Sequence, residues 1–269
     1  MAKRRPAAKR PIGQVPKTAG ELDAMATAGA ALAECIDLLH AEVRAGATTL
    51  QIDAIAEEAI RARGAIPAFL GYPGGPNVPP FPGTICASLN DEVVHGIPGP
   101  TRLEDGDILS VDIGLILDGW VADTAKTFPI GTVTAEAARL ISVTEAALAR
   151  GIEQARAGNC VGDIGHAVQS EVEAAGYSVV RALVGHGVGR TMHEEPQVPN
   201  FGEPGTGPVL EPGVVIAIEP MVNAGGLDVS VDPDGWTIRT ADRSLSAHAE
   251  HTVAITDSGP RILTLRVPT

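Results

Sequence analysis

Leu22, Met25, Leu32, Ile36, Leu39 and Val43 recur at helical spacing behind Thr18 and Glu21, a capping-box pair, and predict a long amphipathic helix over roughly 19–45. Gly29 interrupts that apolar stripe, where a glycine costs about 1 kcal/mol relative to alanine. A second helix is expected from Thr49, with Ile52, Ile55, Ala56, Ala59 and Ile60 on one face and Gly64 as its stop. Residues 71–83 are rich in Gly and Pro without periodicity, so they read as a loop leading into a short strand over 85–89. Two β-rich runs, 108–117 and 120–130, flank Asp118-Gly119, a dipeptide that accepts the positive backbone angles of a tight hairpin. Helical patterns over 134–157 and 161–175 follow, then strand patterns over 178–184, 214–222, 236–240 and 248–256.

Helix, helix, strands therefore occurs twice. Arg44-Ala45-Gly46, Ile52 and Gly64 return 112 positions later as Arg156-Ala157-Gly158, Ile164 and Gly176, and Asp118-Gly119-Trp120 returns as Asp234-Gly235-Trp236. Matches in chain order at similar offsets indicate a duplicated half-domain, which places a shared site at the axis between the halves.

Composition narrows the class. The 269 residues are 44% hydrophobic but only 3% aromatic, with four Phe, two Trp and two Tyr, so a cluster of aromatics would need a reason. A net charge of −13 argues against a protein devoted to nucleic acid or to anionic membrane. Three scattered cysteines, Cys35, Cys86 and Cys160, form neither a disulfide framework nor a CxxC zinc site and fit a reducing compartment. No apolar run is long enough for a membrane span. Residues 1–17 carry six basic residues, no acid and three prolines; taking those six charges from the total leaves −19 on the remainder. The expectation is a cytoplasmic protein with a flexible basic tail over 1–17 and one domain over 18–269. The tail is either a plain leader or a means of docking to an anionic surface such as ribosomal RNA.

Carboxylates in apolar strands carry the chemistry. Asp112 lies in Ser110-Val111-Asp112-Ile113-Gly114, and Asp123 sits across the expected hairpin from it. Glu219 ends the run Val214 to Ile218, and Glu250 opens another apolar strand. Burying such groups is costly unless a cation or proton compensates them; the bland alternative is solvated strand acids. Gly185-His186-Gly187-Val188-Gly189-Arg190 adds a histidine between glycines, where the backbone would let a ligand approach closely. Four carboxylates and two divalent cations neutralise one another, and oxygen-rich ligation with one imidazole suits Mn, Fe or Co and admits Zn. Paired metals about 3.5–4 Å apart activate water and polarise a carbonyl, which is the chemistry of amide hydrolysis.

These residues, with Asn90-Asp91-Glu92-Val93-Val94-His95-Gly96-Ile97-Pro98, His193-Glu194-Glu195-Pro196, Ile218-Glu219-Pro220-Met221 and Glu250-His251-Thr252, resemble the type I methionine aminopeptidases over about residues 20–265. The resemblance implies the pita-bread α/β (α+β) fold, a central antiparallel sheet flanked by two helix pairs with internal pseudo-two-fold symmetry. It implies two divalent metals held by Asp112, Asp123, His186, Glu219 and Glu250, with Asp123 and Glu250 bridging. Glu219 would also accept the water proton, so that hydroxide attacks the first peptide bond. His95 and His193 would hydrogen-bond the scissile amide and its carbonyl oxygen. The methionine pocket maps onto Phe69, Tyr72, Phe81, Cys86, Met192 and Trp236, four of them among the eight aromatics of the chain. Thioether–ring contacts give it a preference for Met. A monovalent cation would involve Asn90 and Ser246. The implied substrates are nascent polypeptide N-termini whose second residue is small, handled by a monomer with no membrane or sequence-specific nucleic-acid partner.

Two positions depart from the family pattern. Met192 stands where an aromatic residue is usual, and residues 73–80 look like an insertion that lacks a histidine common in that loop. The spacings His186 to Glu219 and Glu219 to Glu250 leave no room for the helical insertion of type II enzymes. The alternatives are a proline-specific aminopeptidase on the same fold, which usually carries a further N-terminal domain, and a non-catalytic binding relative, which typically loses metal ligands.

Overall fold

The computed structural model describes residues 13–266. The first helix pair is α1 (Ala19–Glu42) and α2 (Thr49–Ala62), and both helices open with the capping box that Thr18/Glu21 and Thr48/Gln51 provide. Gly29 is no defect in α1: a Cβ there would overlap the carbonyl of Leu263, so the helix crosses the C-terminal segment where only glycine fits. Short β1 (Ile66–Pro67), β2 (Ile85–Leu89) and β3 (Glu92–Val94) follow, then the ten-residue strands β4 (Ile108–Leu117) and β5 (Trp120–Pro129). Asp118 and Gly119 join the last two with φ of 51° and 75°, the left-handed pair expected of that turn.

The second half repeats the plan with α3 (Ala135–Gln154) and α4 (Val161–Ala174), the latter offset from α2 by the 112 positions of the sequence repeat. Gly46 and Gly158, which lead into α2 and α4, have φ of 87° and 89°, so the repeated motif folds alike in both halves. Strands β6 (Ser178–Val179), β7 (Gly185–Gly187), β8 (Glu194–Val198), β9 (Val215–Ile218), β10 (Met221–Asn223), β11 (Val229–Val231), β12 (Ile238–Thr240), β13 (Ser246–His248), β14 (Glu250–Thr256) and β15 (Gly259–Ile262) complete the chain.

Nine strands form one sheet in the order β1-β4-β5-β14-β9-β7-β8, with β2 on β4 and β15 on β14. Every pairing in it is antiparallel. Two further three-stranded sheets run β13-β10-β6 and β11-β12-β3. Leu32, Leu39, Ile52 and Ile60 of the first helix pair pack with Ile113 and Leu115 of β4, while Leu148 and Ile164 of the second pair pack with Ile216 and Ile218 of β9. The fold is the mixed α/β arrangement expected, an antiparallel sheet with its two helix pairs.

Local expectations differ at the sheet junctions. The run 214–222 is not one strand: it breaks at Glu219-Pro220, where proline cannot donate to a ladder, and the chain passes from β9 in the large sheet to β10 in a small one. The run 248–256 breaks in the same way at Ala249, between β13 and β14. The expected strand 178–184 shrinks to Ser178–Val179, and that over 236–240 to Ile238–Thr240, because Asp234 Oδ1 accepts the Trp236 and Thr237 N–H groups in a turn. Of the basic segment, residues 1–12 lie outside the described residues. Lys17 is fixed to the body, its N–H donating to the Gly213 carbonyl at 2.7 Å.

Candidate metal centre and cavity

Strand register assembles the acids. Ala125 of β5 pairs with Asp112 on one side and with Glu250 on the other, so the two carboxylates flank a small residue on one face of the sheet. Asp123, two residues before Ala125, shares that face. Where the β5–β14 ladder ends, Thr252 holds Asp123 by donating to its carbonyl (2.8 Å) and accepting its N–H (3.2 Å), and the Thr124 hydroxyl donates to the Glu250 carbonyl (2.7 Å). Glu219 projects from the proline break at the end of β9, and His186 from β7 beside it.

The glycines around His186 serve packing and not ligand approach. A Cβ at Gly185 would overlap the Ala217 carbonyl and one at Gly187 the Glu195 carbonyl, so the neighbouring strands fill the space. His186 Nδ1 donates to the Gly187 carbonyl at 2.9 Å, which leaves the Nε2 lone pair facing the acids. That nitrogen lies 3.8 Å from Asp123 and 3.6 Å from Glu219. Donor atoms of Asp123, His186 and Glu250 all fall within 4.8 Å of one another. Asp112 joins through its side-chain contact with Asp123.

Burial pushes Asp123 up to about 7 and raises Asp112, Glu219 and Glu250 well above the usual carboxylate range, with mutual repulsion adding to the last three. Burial also lowers His186 to about 4. Asp112 Oδ1, Asp123 Oδ1 and Glu250 Oε1 are buried without any hydrogen-bond partner. Buried, unpartnered anionic oxygens around a neutral imidazole are what divalent cations compensate, so this donor set fits a metal centre.

Above the acids lies a cavity of about 180 Å³. Its walls include Phe69, Tyr72, Phe81, Cys86, His95, Met192, His193 and Trp236, so the sequence-derived pocket and both non-ligand histidines come together with all five proposed ligands. Trp236 meets Phe81 edge-on at 5.2 Å and donates Nε1–H to the Pro79 carbonyl at 2.9 Å. The Tyr72 hydroxyl lies 2.6 Å from His193 Nδ1, and the His193 and His186 rings are 4.4 Å apart. Burial, reinforced by His193, lowers His95 to about 4, and desolvation lowers His193. Burial first, then Asp112 and Asp123, hold Cys86 as the thiol, a wall and not a ligand. The loop over 73–80 is closed at its base by Phe81 N–H donating to the Tyr72 carbonyl (2.9 Å) and leans Val78 on Gly235.

A scan of family models matches residues 23–257 to metallopeptidase family M24. The chain belongs to this family. It is therefore a metallopeptidase, a hydrolase, and the sequence resemblance holds over nearly its whole length. It is 51% identical over 249 residues to the methionine aminopeptidase of Clostridium perfringens, spanning 93% of this chain and 98% of that protein. It is 47% identical over 248 residues to methionine aminopeptidase 1 of Bacillus subtilis, spanning 92% and 98%. The crystal structure of methionine aminopeptidase from Rickettsia prowazekii superposes with a TM-score of 0.90 at 42% identity, covering 94% of this peptidase and all of that chain.

Asn90 and Ser246 do not line the cavity. They meet elsewhere, where Ser246 N–H donates to the Asn90 carbonyl at 2.9 Å and Asn90 takes a left-handed φ of 55°. Sequence reasoning did not assign Val94, Leu183, Val184 and Met221 to the cavity wall; they are apolar residues, Val94 and Met221 inside the quoted motifs, that carry no chemical signal of their own. It also missed His248, whose buried, unpartnered Nε2 lies 3.9 Å from Glu219. A histidine between alanines in an apolar strand is the same anomaly that singled out Glu250.

Proposed function

We propose that this M24 peptidase is a methionyl aminopeptidase that removes the initiator methionine from nascent chains whose second residue is small. The reading rests above all on one observation: orphaned carboxylate oxygens and an aromatic- and sulfur-lined cavity face the same space. Asp112, Asp123, His186, Glu219 and Glu250 would hold two divalent cations, with Mn, Fe or Co suited to the donors and Zn admissible. Bound there, such cations supply Lewis-acid polarisation of the carbonyl and acidify a water.

The protein groups do the rest. The methionine side chain enters among Phe69, Phe81, Cys86, Met192 and Trp236. With the Tyr72 phenol donating to His193 Nδ1, the His193 proton resides on Nε2 and is available to the substrate carbonyl. His95, neutral at pH 7, hydrogen-bonds the scissile amide nitrogen without adding a charge beside the cations. Glu219 accepts the proton of the attacking water, and that proton passes to the departing amine. Asn90 and Ser246 are assigned to a monovalent cation.

The test is metal-dependent release of Met from Met-Ala-Ser beside Met-Leu-Ser and Ala-Pro-Ser, using apo-protein reloaded separately with Mn, Fe, Co and Zn. Turnover of Met-Ala-Ser alone is expected. A preference for Ala-Pro-Ser moves the chain to the proline-specific branch, and no turnover by folded, metal-binding protein leaves a binding module. The basic segment is assigned to ribosome docking near emerging chains in the cytoplasm. Deleting residues 1–12, which spares Lys17, is expected to weaken salt-sensitive cosedimentation with ribosomes, and unchanged cosedimentation removes that role.

A further inference from the structure

The loop between β7 and β8 carries Met192 and His193 into the cavity, and two clamps hold it. At its start the Arg190 guanidinium lies 3.5 Å over the Trp120 ring and donates to the Asp118 carbonyl at 3.1 Å. At its end Glu194 Oε1 accepts the N–H groups of Arg190 (2.8 Å) and Thr191 (3.3 Å), folding the loop back on itself. The other Glu194 oxygen receives Lys17 Nζ at 2.6 Å.

Lys17 is built in. Its side chain is 6% exposed, and it runs past Gly189, where a Cβ would stand 2.7 Å from Lys17 Cε. Gly213, whose carbonyl receives the Lys17 N–H, likewise has no room for a Cβ against the Lys17 carbonyl. Burial opposes ionisation of Glu194, but Lys17 and the two loop N–H groups overcome it and hold the carboxyl below its usual range. Removing the lysine alone leaves a largely buried carboxylate short of its cation, which disturbs whatever that carboxylate braces.

We propose that Lys17 is a positioning residue for His193: through Glu194 it sets the loop that aims the His193 ring at the substrate carbonyl, so the segment preceding α1 is a working part of the active site. The proposal rests on the role assigned to His193 above. It concerns none of the metal ligands, and of the methionine pocket only Met192, which shares the loop. A purely structural ion pair, by contrast, would stabilise the fold without acting through that ring.

The experiment compares full-length wild type with K17M, K17R and the K17M/E194Q double variant, in both wild-type and H193A backgrounds. On Met-Ala-Ser, K17M is expected to lower kcat about tenfold with KM within about twofold, and K17R to restore most of the loss. In the H193A background K17M is expected to cost less than about twofold, because the ring it positions is gone. A loss of equal factor in both backgrounds, or an unchanged kcat in folded K17M, overturns the proposal. Should K17M not fold, the double variant, which removes both charges together, takes its place in the same cycle. Imidazole nitrogen NMR of the metal-free protein reads the geometry without turnover. The His193 resonances are expected to move while those of His248 stay, and static His193 resonances overturn the proposal even if Met-Ala-Ser proves not to be the substrate.

Discussion

The floor and the wall of the cavity are built by different means. The floor takes Asp112, Asp123, His186 and Glu250 from paired strands and Glu219 from a strand end, each braced by neighbours such as Thr252 and Gly187. Apart from Cys86, Val94 and Met221, which lie on strands, the wall takes Phe69, Tyr72, Phe81, Met192, His193 and Trp236 from connecting loops, which hold one another through single contacts such as Trp236 to Pro79 and Tyr72 to His193. Four buried carboxylates repel one another when ionised, and here the paired strands keep them together before a cation arrives. A side-chain pocket carries no such repulsion, and loops can meet a flexible thioether chain.

The largest break in that comparison is expected from the floor. Asp123→Ala or Glu250→Ala should lower kcat/KM on the order of 10³-fold and weaken Mn binding measured by calorimetry on the apo-protein. A variant that keeps full metal affinity would show that its carboxylate is not a ligand. His193→Ala, at the junction of floor and wall, should lower kcat about 10²-fold with metal affinity intact, as single-turnover kinetics would record.

Trp236→Leu, in the wall proper, should raise KM for Met-Ala-Ser about tenfold with kcat within about twofold, the pattern of lost ground-state binding. A separate effect, on stability, has a defined sign. The folded apo-protein keeps a proton on Asp123 up to about pH 7, whereas the unfolded chain releases it near pH 4. The folded state therefore binds more protons in that window, and apo stability falls as pH rises from about 4 to about 7. Metal-bound protein should lack this slope, so the Tm gap between the loaded and apo forms should widen with pH across the window. Asp112, Glu219 and Glu250, raised by the same burial, add to the slope, so a constant gap would mean that the whole carboxylate cluster is ionised in the apo-protein.

The sequence is most readable where structure is regular. Alternation plus Asp118-Gly119 located the β4–β5 hairpin and its two acids, helical periodicity located both helix pairs, and the repeat related one half to the other, because those signals are local or repeated. Glu219 and Glu250 stood out as carboxylates in apolar runs, yet the breaks beside them did not. A switch between sheets depends on which distant strand offers hydrogen bonds, and no window of neighbouring residues records that. The same limit explains Gly29, Gly185 and Gly187, whose missing side chains make room for the carbonyls of Leu263, Ala217 and Glu195. It explains Lys17 too, assigned by charge to a tail although its partner Glu194 lies 177 positions away. His248 carries the same local signal as Glu250, an ionisable side chain in an apolar run.

Strand β14 has one more consequence. It follows β5 and β9 in the chain but lies between them in the sheet, joined to β5 through contacts 126 and 129 positions apart. During synthesis the first 249 residues thus leave two open strand edges facing a gap, in a topology whose long-range closure makes for slow folding. The peptide that fills the gap brings Glu250 with it. The sheet and the charge cluster are completed by the same late event, so a chain stopped short of β14 is both catalytically unfinished and prone to pair its open edges with other chains.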